Sequence, residues 1–225
     1  MTFGRRQPLP ERLPSPPLQP AAVSENLRHC ANAATDIVAM LLTAYTLQDR
    51  LQPESAIAAA AALTGEFALR SAGAPIPESG RVSGSAADDV LFAGVREGRA
   101  TAWMFITHAA MEAGVAERDL PRIEAIAASL AQPSETMLPP LSVQEKYVPR
   151  ELPMNFGPRF RHRIIATADT HDLSLREVTI ALAAAAGQLM IRTQHEFPPQ
   201  VAVTLAAEIM LAVARTAPLA EAVTA

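Results

Sequence analysis

One helical phrase occurs twice in this chain, and it restricts the fold more than any other feature. A Ser-capped apolar helix runs to a proline. An Ala-rich helix follows and closes on Arg, then Ser or Thr, then Ala. The first copy starts at Ser24, turns at Pro53 and closes on Arg70-Ser71-Ala72; the second starts at Ser174, turns at Pro198-Pro199 and closes on Arg215-Thr216-Ala217. Proline suits the first turn of a helix, where its missing N–H has no intrahelical partner to lose, and breaks a helix it would sit inside. Each copy is therefore expected to form a helix hairpin, and the fold class that follows is all-α: a helical bundle built from two hairpins plus middle helices. Sliding residues 53–72 onto 198–217 matches Pro53, Ala61, Ala62, Arg70 and Ala72. Ala matches carry little weight where one residue in five is Ala, so the repeat is read as shared architecture rather than shared ancestry.

Composition agrees. Aromatic residues are only 4%; Ala is the best helix former and lets helices approach closely. The net charge of −4 gives no whole-protein attraction to nucleic acid or to an anionic membrane. Lys146 is the only lysine among 19 basic residues, a bias expected of a GC-rich, bacterial coding sequence. Cys30 is the only cysteine, so no internal disulfide forms and a cytoplasmic setting is expected. The longest uncharged helical run, 178–191, is 14 residues, shorter than the roughly 20 a membrane span needs. Arg5-Arg6 are followed by Pro8, Pro10 and Pro14 rather than an apolar stretch, so no signal peptide is expected.

The order of elements follows from caps and breakers. Residues 1–22 read as a disordered Pro-rich tail. A first helix is expected from Glu25 to Leu51, capped by Ser24, with Ile37, Leu41, Leu42 and Tyr45 on its apolar stripe. Pro53 opens the next helix, and Gly73 supplies a left-handed cap. Helices are then expected from Ala86, with a break near Gly98, over 100–113 and over 120–131. Six prolines between 133 and 158 forbid a continuous helix in residues 132–157. That segment either links subdomains 23–131 and 158–217 or lies across them as a strap. Met137, Leu138, Leu141, Tyr147 and Val148 are too apolar for a free linker and favour the strap. Ser174 and Glu177 have the spacing of a capping box, with Leu173 and Val178 as its hydrophobic staple. The last helix carries one charge, Glu208, between Val201 and Ala214, and is expected to be central and buried. Residues 23–217 form the helical domain, and 218–225 a C-terminal tail.

Chemistry-bearing residues are few. Asp36, Glu66 and Glu208 are carboxylates in apolar helical runs, where a charge must be paired, metal-bound or neutralised. A di-iron bundle would use Glu-x-x-His on one helix face, and that spacing does not occur. Pairing of Glu66 with Arg70 one turn on, and of Glu208 with a distant Arg, is the expected arrangement. His108 and Glu112 share a helix face as half of a possible metal site. The loop Gly80-Arg81-Val82-Ser83-Gly84-Ser85 enters a helix but lacks the Gly-Lys-Ser/Thr of a phosphate loop, and Asp88-Asp89 would repel an anion there. No catalytic residue, metal ligand set or cofactor is assigned, and the chain is not expected to be an enzyme.

A local pattern lies in residues 151–182. Leu152, Met154 and Phe156 alternate with Glu151, Pro153 and Asn155, as in a short strand. Arg159-Phe160-Arg161-His162-Arg163 follows, then Asp172-Leu173-Ser174 and a helix carrying Val178 and Leu182. This resembles the ribbon-helix-helix family of DNA-binding modules, in which paired strands of two protomers enter the major groove. The resemblance implies that Arg150, Glu151, Pro153 and Asn155 face the groove and that Ser174 caps the helix meeting phosphate. Pro153 departs from it by removing a ladder donor.

Three functions are thus in play. The first expectation is a non-catalytic interaction or scaffold protein with a protein partner, as a homodimer or other homo-oligomer. The second is a DNA-binding regulator contacting nucleic acid through Arg159, Arg161 and Arg163. The third is a small-ligand or metal-binding protein whose pocket is lined by Glu66, Glu208 and His108.

Overall fold

The structure, a computed structural model, describes residues 20–73, 76–77, 79–82, 85–92, 100–131, 138 and 140–219, the side chains of 20–25 and 85–86 excepted. The fold is all-α. The helices are α1 (Pro20–Tyr45), α2 (Pro53–Ser71), α3 (Ser85–Leu91), α4 (Ala102–Glu112), α5 (Ile123–Ala131), α6 (Phe156–Thr170), α7 (Leu175–Thr193) and α8 (Pro199–Ala214). Short 3-10 turns occupy Glu117–Asp119, Glu145–Tyr147 and Pro153–Asn155. Among the described residues no single helix is long and apolar enough to cross a membrane. Most of the expected N-terminal tail, the break near Gly98, residues 132–137 and the end of the C-terminal tail lie outside the described residues.

The first hairpin differs from its sequence reading at both ends. α1 begins at Pro20, so Ser24 sits inside the helix rather than capping it; Pro20 and the two Ala residues after it already suit a first turn. α1 then stops at Tyr45 instead of Leu51, because residues 46–51 close a two-stranded hairpin, β1 (Thr46–Leu47) and β2 (Arg50–Leu51), with Thr46 opposite Leu51 and Leu47 opposite Arg50. Its two turn residues are left-handed, Gln48 at φ 51° and Asp49 at φ 59°. That geometry favours Asn-Gly, and non-glycine residues are strained in it. The double variant Gln48→Asn, Asp49→Gly is therefore expected to stabilise the protein by about 1 kcal/mol, read as a higher urea midpoint at unchanged m value.

The other boundaries follow their caps. Pro53 opens α2, and Gly73 follows its end at φ 67°. Thr101 caps α4 by accepting from the Met104 N–H. The helix expected over 120–131 starts only at Ile123, after Pro121, and the 3-10 turn Glu117–Asp119 precedes it. Ser174 and Glu177 form the full capping box, and Asp172 makes the α6–α7 bend at φ 53°.

The hairpins do not pack mainly on themselves. α2 lies most extensively against α8 and α7, and α7 also receives α1 and α4. The two hairpins are interlocked, and both contribute to one hydrophobic core. α2 is buried from Pro53 to Leu69 on nearly every side, and α8 over most of 202–214. Small residues make this possible. A Cβ on Gly65 would strike the Met210 carbonyl oxygen and come 3.0 Å from the Ala214 nitrogen of α8, and one on Gly187 of α7 would come 2.6 Å from Ala109 Cβ of α4. Larger side chains complete the core: Phe67, Phe156 and Phe160 are fully buried. Cys30 is buried too; its Sγ–H donates to the Glu177 carbonyl at 3.7 Å, and burial, reinforced by the charge of Glu177, pushes the thiol up to about 11.

Matching closing sequences serve different ends. Arg70 turns back on Glu66. Arg215 reaches Asp88 at 3.8 Å and the Ala127 carbonyl at 3.1 Å. Burial raises the Asp88 carboxyl, against the opposing pull of Arg215. The Gly80 loop is tied to the chain end, with Arg81 bridged to Thr216 and the Ala217 N–H donating to Gly80. The Val82 N–H likewise donates to the Arg215 carbonyl at 2.9 Å.

Candidate functional site

α5 packs against α8 through Leu130, Leu211 and Ala212, and a gap lined by both helices remains. From α8 come Glu208, Ile209 and Ala212, one helix face; from α5 come Ala125, Ile126, Ser129 and Leu130. The third wall is the Pro-rich strap, described at residues 138 and 140–153, with Leu138, Leu141, Val148 and Leu152 lining the gap. Together they enclose a cavity of about 450 Å³. Pro140, Pro149 and Pro153 rule out a continuous α-helix through the strap, which instead carries two 3-10 turns. Two anchors then fix its height. The Ser142 N–H donates to Glu208 Oε2 at 2.9 Å and its hydroxyl to Oε1. Farther on, the Tyr147 ring packs edge-on against Phe197 at 5.3 Å.

The cavity wall is mostly apolar, and its polar members are the acids Glu208 and Glu151 and the hydroxyls of Ser129 and Ser142. No basic side chain is among its described lining residues. Glu151 is already paired: it accepts from Arg159, whose guanidinium lies over the rings of Tyr45 at 5.2 Å and Phe160 at 5.0 Å. Glu208 is half-buried and its partner is the strap, not the distant Arg expected from sequence. At the rim Leu152 is 68% exposed. A second hollow, about 610 Å³ beside the 46–51 hairpin, is lined by Asp49, Arg50, Glu54, Lys146 and Glu196 among others. Charges of both signs there are well solvated, so an apolar guest gains little from entering it.

The residues singled out in the sequence fall in different places. Glu66 is 3% exposed on α2 and does not line the cavity. Its Oε1 accepts from Arg70 Nε at 2.8 Å and Arg161 Nε at 2.6 Å. Arg161, 7% exposed, also donates from Nη2 to the Leu219 carbonyl at 2.9 Å. Gly157 leaves room for this carboxylate, since a Cβ there would overlap Oε2. The cluster joins α2, α6 and the chain after α8. His108 and Glu112 are exposed on α4, and among the described residues no three His, Cys, Asp or Glu side chains converge as metal ligands. Asp36 meets His171 Nε2 at 2.7 Å. Of Glu66, Glu208 and His108, only Glu208 reaches the cavity.

The strand expected over 151–156 is not there. Pro153–Asn155 is a 3-10 turn and α6 starts at Phe156. Pro153 and Met154 are buried and Phe156 is fully enclosed, so packing of these side chains outweighs the alternating pattern. Of the three arginines expected to contact nucleic acid, Arg161 is turned into the core, Arg159 is held by Glu151, and Arg163 is exposed. Ser142 and the α5 face drew no attention in the sequence. Ser142 lies 66 residues from Glu208, and only the apolar residues of the strap hinted that it covers something.

No protein-family model, no curated protein and no solved structure matches this chain.

Proposed function

We propose that the chain is a non-catalytic helical binding protein that takes a small, largely apolar molecule into the cavity between α5, α8 and the strap. The observation that carries this reading is the cavity itself. A space of about 450 Å³ falls within the roughly 300–1,000 Å³ range of small-molecule sites, and such sites combine apolar walls with a few placed polar groups. Glu208 and Ser142 fit that description better than they fit catalysis. A carboxylate is a poor base for a serine hydroxyl, and Ser142 offers both its N–H and its O–H to Glu208, which fixes a backbone turn. Thermal unfolding with uncharged apolar probes such as camphor or 1-naphthol tests the reading. At 100 times Kd a ligand that binds only the folded state adds about 2.7 kcal/mol, a rise in Tm of roughly 5–10 °C for a chain this size. A flat Tm across such probes contradicts it.

The exposed rim favours a second reading. Leu152 and Val148 (39% exposed) present apolar surface to solvent at one edge, as a contact between two copies of the chain requires. In that case light scattering gives a dimer for the native protein and a monomer for Leu152→Glu. A native monomer removes it.

A further inference from the structure

We infer that the cavity selects its ligand by charge, taking an amphiphile whose apolar tail fills the space and whose cationic amine meets the Glu208 carboxylate. The inference rests on the binding reading above and adds the ligand's chemical class. Three observations support it. A carboxylate offers about four acceptor positions, and Ser142 occupies two of them on Glu208. The other acid in the wall, Glu151, is neutralised by Arg159, so Glu208 sets the sign of the site. No lysine, arginine or histidine is among the described lining residues to receive an anion. A second carboxylate brought beside half-buried Glu208 meets like-charge repulsion in a medium less polar than water. An ammonium brings donors to the open acceptor positions instead, and charge-assisted hydrogen bonds are the stronger kind.

Calorimetric titration of the full chain at pH 7 with octylamine, octan-1-ol and octanoate separates tail from head. The amine is expected to bind at least about tenfold tighter than the alcohol, a gap of about 1.4 kcal/mol, with octanoate weakest. Glu208→Gln should bring the amine to within about threefold of the alcohol while alcohol binding persists. Equal affinity for amine and alcohol, or octanoate binding as well as the amine, overturns the charge inference and leaves the cavity reading in place. Binding of none of the three removes the cavity reading itself, and the inference with it. Because Glu208 also anchors the strap, a second variant keeps the test independent of that role. Leu152→Lys places a cation at the exposed rim and is expected to weaken the amine and strengthen octanoate, each by about threefold or more; an unchanged order of affinities overturns the inference.

Discussion

Glu66→Ala is expected to lower stability by about 3–5 kcal/mol, the cost of removing one member of a buried ion pair. Arg161 is 7% exposed, so its guanidinium is not rehydrated when Glu66 is removed. The change also releases α6 from α2, since Glu66 is their shared acceptor, and loosens the hold of Arg161 on Leu219. Arg70→Ala should cost much less, about 1 kcal/mol, because that side chain is 31% exposed and water replaces the lost bond. Urea denaturation of the two variants decides the matter. A Glu66→Ala loss no larger than that of Arg70→Ala means that the cluster does not lock α6 to α2. Replacing both buried members, Glu66→Leu with Arg161→Met, is expected to recover much of the loss, because apolar side chains of similar volume often substitute well for a buried ion pair.

Gly65→Ala should also destabilise the protein strongly, by about 2–3 kcal/mol, at the upper end of overpacking costs. The sign is the informative part. In an exposed helix interior, Gly to Ala is stabilising by up to about 1 kcal/mol. Here the new methyl group would strike the backbone of Met210, and backbone cannot rotate away as a side chain can. α2 and α8 must separate, and the packing along their interface loosens with them. A stabilised Gly65→Ala variant would mean that α2 and α8 do not approach closely at this point.

The sequence was most legible where one local rule acted alone. Pro53 and Pro199 open helices, and Ser174 with Glu177 makes a capping box, because caps and prolines depend on a few neighbouring residues. The pairing of Glu66 with Arg70 was legible for the same reason, being one helical turn long. Errors came where tertiary packing overrode a local pattern. The alternation over 151–156 suggested a strand, but burial of Met154 and Phe156 required a turn and a helix start. Arg161 was expected to contact nucleic acid, yet its partner stands 95 residues away on α2. The hairpins were readable as units, whereas their interlocking was not, because it depends on small residues such as Gly65 and Gly187 meeting across the core. The cavity was the least legible feature. It is walled by α5, α8 and the strap together, a property of three segments at once.

Fluorescence titration with an uncharged apolar dye such as 1-N-phenylnaphthylamine, on the native chain and on Ala125→Trp, tests the binding site most directly. Ala125 is exposed on α5 yet lines the cavity, so an indole there fills the space without disturbing the buried core. The native protein is expected to give a saturable, one-to-one rise in fluorescence, and Ala125→Trp, folded by circular dichroism, is expected to lose it. No saturable rise, or the same rise in both proteins, would contradict a ligand site between α5, α8 and the strap.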